Sequence, residues 1–222
     1  MSQPLRDIAV FFDDSESGRR ILEIAANLAG EHNAHLIGIC AAANDYAIPE
    51  DAYARGDAVQ DVVRRQQSSV AAHLLYAGQA LARAAVRHGI ETEFRVIPFT
   101  ESGGDAALHS LYCDLLVAGH PAPGAPLAWS STQMLEKTGV PIMLVPDTWI
   151  GDVIGRRIVL AWNGSRQARR AVADALPLLV SAEVVALLIV DSEHVDEPTH
   201  HDKEPLGVDM ANYLTRHGVH VD

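Results

Sequence analysis

Apolar and polar positions follow two periods along this chain, and the switches between them mark the elements. Ile8 to Phe12 is a short continuous apolar run that stops at Asp13-Asp14-Ser15-Glu16-Ser17. Such a run, bounded by capping residues, predicts a buried strand that hands over to a helix. Ile21, Ile24, Ala25, Leu28 and Ala29 then recur at helical spacing until Gly30 to Asn33, and His35 to Ala41 predicts a second strand. A polar connection through Ile48-Pro49-Glu50 leads to a long helix. Its stripe of Val59, Val63, Val70, Leu74, Leu81 and Ala84/Ala85 lasts until His88-Gly89. Thr92 to Phe99 alternates as a third strand, and Gly103-Gly104-Asp105 opens a short helix to about Tyr112. From Asp114 to Pro146 come a buried strand (Leu115 to Ala118), a Gly/Pro loop, a helix and a last buried strand (Ile142 to Val145).

Strands and helices in strict alternation imply a parallel sheet covered by helices on both faces. With right-handed crossovers, the five strands predict a doubly wound α/β sheet in the order 3-2-1-4-5.

The opening pattern then returns. Arg6 to Ala29 aligns without a gap on Arg156 to Leu179, an offset of 150 positions. Ile8 falls on Ile158, Asp13 on Asn163, Ser15 on Ser165, and Arg19-Arg20 on Arg169-Arg170. The second strand recurs as Val184 to Val190, and Arg216-His217-Gly218-Val219 echoes Arg87-His88-Gly89-Ile90. A repeat of domain length points to tandem duplication. The expected organisation is a first domain over residues 1–147, a linker over 148–155 and a partial second domain over 156–222. No counterpart of Asp114 to Pro146 follows in the second copy. A half sheet with an open apolar edge invites association, so the expectation is a piece of a longer product or an edge covered by a partner.

Composition narrows the function classes. Apolar residues make up 48% of the 222 positions, enough for a sizeable core, and the formal net charge of −12 disfavours nucleic acid or an anionic membrane as partner. Cys40 and Cys113 lie within apolar runs, without a CxxC, and read as small buried hydrophobes. The start MSQPLRDIAV lacks a signal pattern and no run reaches the length of a membrane span. A cytoplasmic protein is the expectation.

Few residues carry a case for chemistry. No GxSxG elbow, HExxH, Walker loop or GxGxxG occurs. His200-His201-Asp202, His217 and His220 lack a second cluster at metal-ligand spacing, and Ser102 to Asp105 reads as a plain helix start. No catalytic residue and no metal site is expected. Two features point to a ligand. The Gly-containing loop after Ala118 feeds a helix start, where backbone N–H groups can hold a phosphate. Asp13 ends the first strand beside the ligand crevice of such sheets, placed either to accept from a ribose hydroxyl or adenine amine, or to cap the helix.

The strand ending in Asp-x-Ser (Asp13 to Ser15), the Asp-Leu-Leu-Val-Ala-Gly-His segment (Asp114 to His120) and the closing Thr-Gly-Val-Pro-Ile-Met-Leu-Val-Pro (Thr138 to Pro146) resemble the universal stress protein family. The duplication, with Ala-Trp-Asn-Gly-Ser (Ala161 to Ser165) opening the second copy, resembles its tandem type. The resemblance implies a stress-response or regulatory protein without strong catalytic equipment, homodimers through sheet-edge strands, and ATP or another adenine nucleotide as the ligand class. It also implies a loop Gly-x2-Gly-x9-Gly-Ser/Thr after the fourth strand. Gly119 matches its first glycine, but Ala122 takes the second place, with Gly124 two residues on. Ala128-Trp129 stand at the final Gly-Ser, and the spacing from Gly119 is four residues short. Pro121, Pro123 and Pro126 stiffen the loop and remove donors. Asp13 and Ala41 on the adenine side, and Gly119, His120, Gly124, Ser130 and Ser131 on the phosphate side, are therefore the candidate residues of a loop that looks degenerate. The alternative is a working ATP-binding module with weak ATPase activity.

Overall fold

The computed structural model of the chain describes residues 4–42, 57–98, 104–120, 131–151, 153–189 and 206–222. These form two compact units, one of Leu5–Asp152 and one of Val153–Asp222 together with Met1–Pro4.

The first unit is a five-stranded, all-parallel sheet in the order β3-β2-β1-β4-β5. Its strands are β1 (Asp7–Phe11), β2 (His35–Ala42), β3 (Thr92–Pro98), β4 (Leu115–Gly119) and β5 (Ile142–Val145). The helices between them are α1 (Glu16–His32), α2 (Asp57–His88), α3 (Gly104–Ser110) and α4 (Ser131–Thr138). The order is the one the apolar pattern implies. The central strands β1 and β4 are almost wholly buried, as continuous apolar runs between two helical layers should be. Ala9, Phe11, Ile37, Ile39, Leu116 and Ala118 pack on one face against Ala107 of α3 and Met134 of α4. On the other face, α1 buries Ile21, Leu22, Ile24, Ala25 and Leu28, and α2 buries Ala77, Ala80, Leu81 and Ala84.

Local chemistry sets the ends of these helices. Ser15 caps α1, its Oγ accepting from Gly18 N–H at 3.0 Å. Asn33 closes α1 in the left-handed region at φ 51°, and Gly89, at φ 64°, ends α2 after His88. The third helix stops at Ser110 rather than running to Tyr112, because the chain must turn before Asp114 to enter β4. The turn is held by Leu111 N–H on the Leu108 carbonyl at 3.4 Å and Cys113 Sγ on the Ser110 carbonyl at 3.1 Å. Phe99, Val190 and the side chains of Val59 and Val63 lie outside the described residues.

The second unit holds a two-stranded parallel sheet of β6 (Arg157–Trp162) and β7 (Val184–Ile189), with helices α5 (Arg166–Ser181) and α6 (Leu206–Arg216). Its core joins Trp162, Val172, Leu179, Val185, Met210 and Leu214. Val221 begins a further parallel pairing beside Val185. The geometry of the first unit recurs at the offset of the sequence repeat. Asp13 Oδ1 accepts from Ser15 N–H at 3.0 Å, and Asn163 Oδ1 from Ser165 N–H at 3.1 Å. Ser165 caps α5 through Ala168 N–H at 3.1 Å, as Ser15 caps α1. Asp7 pairs with His35 and Arg157 with Val184, so the two strand pairs share one register.

Candidate functional site

In a sheet ordered 3-2-1-4-5 the chain leaves β1 for β2 on one side, while β4 lies on the other. In open α/β sheets ligands bind at such a switch point, which here lies beyond the carboxyl ends of β1 and β4. Asp13 follows β1 there, and Gly119 ends β4, paired with Val145 of β5.

Asp13 holds the start of α1. Its Oδ1 accepts from both the backbone N–H and the hydroxyl of Ser15. This arrangement brings Asp13 close under the first turn of α1, and only glycine fits opposite it. A Cβ on Gly18 would sit 2.6 Å from the Asp13 carbonyl oxygen and 2.7 Å from its nitrogen, besides meeting Oδ1. Gly119 also has a packing reason, since a Cβ there would come within 2.6 Å of Ile21 Cδ1. Ala41 pairs with Ile97 in the β2–β3 ladder and packs, half-buried, on the apolar cluster beneath α3 and α4. His120 is exposed, and its backbone N–H donates to the Val145 carbonyl at 2.8 Å. Ser131 opens α4, while Gly124 and Ser130 lie outside the described residues. The structure thus gathers Asp13, Ala41 and Gly119 at the carboxyl end of one sheet.

One residue at this end was missed from sequence. His73 of α2 bonds through Nδ1 to Asp14 Oδ1, and its Nε2 lies 3.7 Å from Cys40 Sγ. Carboxylate, imidazole and thiol stand in line at the ends of β1 and β2. The signal was available: His73 lies three residues after Val70 and four before Ala77, a polar group on the inward stripe of α2. The line does not make a nucleophile. Cys40 is fully buried, and its thiol is pushed up to about 12 by burial first and by the charges of Asp13 and Asp14 second. Cys113 is likewise pushed up to about 12, chiefly by burial. Among the described residues no group of three or more His, Cys, Asp or Glu side chains could hold a metal ion. His200-His201-Asp202 lie outside them, and His220 Nδ1 lies 2.9 Å from the Glu183 carbonyl. Among the described residues no helix is long and apolar enough to cross a membrane.

No family model and no curated protein matches the chain by sequence. Solved structures do match it in fold. A universal stress protein from Archaeoglobus fulgidus, 16% identical, aligns over 97% of this chain and 74% of its own, with a TM-score of 0.63. A functionally unknown protein from Pseudomonas aeruginosa, 15% identical, aligns over 97% of this chain and 68% of its own at a TM-score of 0.53. A universal stress protein in complex with cAMP, 16% identical, aligns over 65% of this chain and 99% of its own at a TM-score of 0.40. The likeness to the first two establishes a shared α/β fold.

Proposed function

We propose that the chain is a universal stress protein of the two-copy type, acting as a regulatory, non-catalytic protein, with a degenerate ATP loop in its first copy. The observation that carries this reading is the switch point itself. The Asp13 carboxylate there is engaged in capping α1, and Gly119 borders Ile21. The fold shared with the Archaeoglobus fulgidus universal stress protein supports the family. The repeated caps and strand register of the two units support a duplication within the chain. On this reading the units are two copies of one fold, Asp147 to Gly155 joins them, and the protein works in the cytoplasm.

The sequence of the loop supports its degeneracy, since Ala122 and Ala128 stand where the family's loop has glycine and three prolines remove donors. The non-catalytic part is supported by Cys40, a buried thiol pushed up to about 12 although His73 Nε2 lies 3.7 Å from its Sγ. Among the described residues β5 is the last strand of its sheet, and on this reading its edge is the surface by which two chains pair into a homodimer. Calorimetric titration with ATP and Mg²⁺, alongside a phosphate-release assay, tests the reading. Expected are no saturable heat in the micromolar range and no turnover. Saturable micromolar binding that Gly119→Val abolishes would instead establish a working ATP-binding module.

A further inference from the structure

The β3 edge of the first sheet has a pattern that complements itself. β3 lies outermost beside β2, and among the described residues no strand pairs with its other side. Leu36 N–H donates to the Glu91 carbonyl at 3.0 Å, with Leu36 opposite Thr92. Backbone groups alternate in direction along a strand, so Glu93, Arg95 and Ile97 turn theirs to β2. The N–H and C=O groups of Thr92, Phe94 and Val96 therefore turn outward, to the edge.

Side chains alternate between the two faces as well. Arg95 lies on the α3 side, where its Nη1 donates to the His109 carbonyl at 2.7 Å, and Ile97 is buried beneath α3 and α4. Glu93 shares that face and takes two bonds from Arg95, each of 2.9 Å. Phe94 and Val96 lie on the α2 side. Phe94 borders Gly78 of α2 and the ring of Phe12, with centroids 6.2 Å apart. Even so, Phe94 is 37% and Val96 45% exposed, and Leu75, one turn before Gly78 on α2, is 59% exposed. The edge joins outward backbone groups to an uncovered apolar margin.

Charges on an edge strand commonly block pairing. Glu93-Phe94-Arg95 does the reverse for one partner, a second copy of the same strand. With a two-fold axis at Phe94 the two strands run antiparallel, and Phe94 faces Phe94 of the second copy. Thr92 then faces Val96 of the second copy, and Glu93 faces its Arg95. The outward-turned residues fall in hydrogen-bonded pairs, and Glu93 with Arg95 falls in the non-bonded pair, where side chains come closest. Each carboxylate keeps its own guanidinium and gains another. An axis at Glu93 would set carboxylate against carboxylate, and one at Arg95 guanidinium against guanidinium. Of these three registers, the one centred on Phe94 alone matches the charges.

We propose that β3 is a self-association edge, by which two copies of this chain join their first sheets antiparallel about Phe94. The interface lies at the opposite end of the sheet from β5 and is independent of what the switch point binds.

The test is disulfide cross-linking of the full chain, read by non-reducing denaturing electrophoresis, which registers this contact whatever other edge associates. Thr92→Cys chains are mixed with Val96→Cys chains. Residues in a hydrogen-bonded antiparallel pair have Cα atoms about 5.5 Å apart, within disulfide reach, whereas Thr92 and its own copy would stand about 13 Å apart along the strands. Expected is a cross-linked dimer in the mixture at least about tenfold above either variant alone. Glu93→Arg in both chains should abolish it, as should Arg95→Glu in both. Glu93→Arg in one chain and Arg95→Glu in the other should restore it. Arg95→Glu also loses the bond to His109, so its urea midpoint is measured alongside; should it fail to fold, the Glu93→Arg result decides. No cross-link in the mixture, equal cross-linking of either variant alone, a cross-link that survives Glu93→Arg, or no restoration by the folded, oppositely charged pair overturns the proposal. Amide exchange at Phe94 then names the occupant. Protection at every concentration without a cross-link places a segment of the same chain on the edge, and an unprotected amide leaves the edge to a different polypeptide; both overturn self-association.

Discussion

Asp13 separates two roles that sequence alone leaves joined. In the structure its Oδ1 takes two hydrogen bonds from Ser15, whose own hydroxyl caps α1 through Gly18. Asp13→Ala removes both acceptances and loosens the cap residue itself. Each bond contributes about 1 kcal/mol net, and loss of a cap costs about 0.5–2 kcal/mol, so a destabilisation of roughly 1–2 kcal/mol is expected. Asp13→Asn should behave differently. The second unit already builds the same turn with Asn163, whose amide oxygen accepts from Ser165 N–H at 3.1 Å. A neutral oxygen is sufficient there, so Asp13→Asn should fall within about 0.5 kcal/mol of the parent protein. Urea denaturation followed by far-UV circular dichroism reads both variants, fitted to the transition of the first unit. If Asn proves as damaging as Ala, the charge of Asp13 is needed for stability, and the cap is not its main role.

The remaining predictions rest on burial. Leu116→Ala, at a position with no exposure, should destabilise the first unit by about 2–5 kcal/mol, whereas Leu188→Ala, half-exposed, should cost under about 1 kcal/mol; urea midpoints check the contrast. The two thiols give a pH dependence of known sign. Both are held near 12 in the folded protein against an ordinary value of 9.0. Above about 9 the unfolded chain therefore binds fewer protons than the folded one. Their contribution to stability is complete below pH 9 and is lost as pH rises toward 12, which melting temperatures of the parent and of Cys40→Ala should show as a steeper alkaline fall in the parent. Native thiol labelling at pH 8 should be slow at Cys40, where no surface is exposed, and fast once the chain is denatured; fast native labelling would show that the site opens.

Periodicity made the framework legible. The apolar runs fixed β5 at Ile142–Val145 to the residue, and the His88-Gly89 pair marked the end of α2 because only a left-handed residue closes the helix there. The repeated pattern was readable because capping chemistry tolerates few residue types, and Ser15 and Ser165 each cap a helix while the apolar residues around them differ. What the chain pattern did not show were contacts between residues far apart in sequence. The reach of His73 to Asp14 spans 59 positions and depends on the pitch of α2 across the sheet. The reason for Gly119 lies in Ile21, nearly a hundred residues earlier, and reads from sequence only as one glycine of a loop. The exposure of Val159 and Leu188 is invisible to periodicity too, because those residues are as apolar as the buried Val185 of the same sheet.

The central claim, that the first copy no longer holds ATP, is tested most directly on the protein as it is purified. The chain is denatured and the released small molecules are identified by mass spectrometry against a standard curve of adenine nucleotides. The expected result is an empty supernatant, with Asp13 serving α1 and the loop after Gly119 unable to cradle a phosphate. A stoichiometric adenine nucleotide in the supernatant would contradict the account and make the switch-point crevice of the first unit a working binding site.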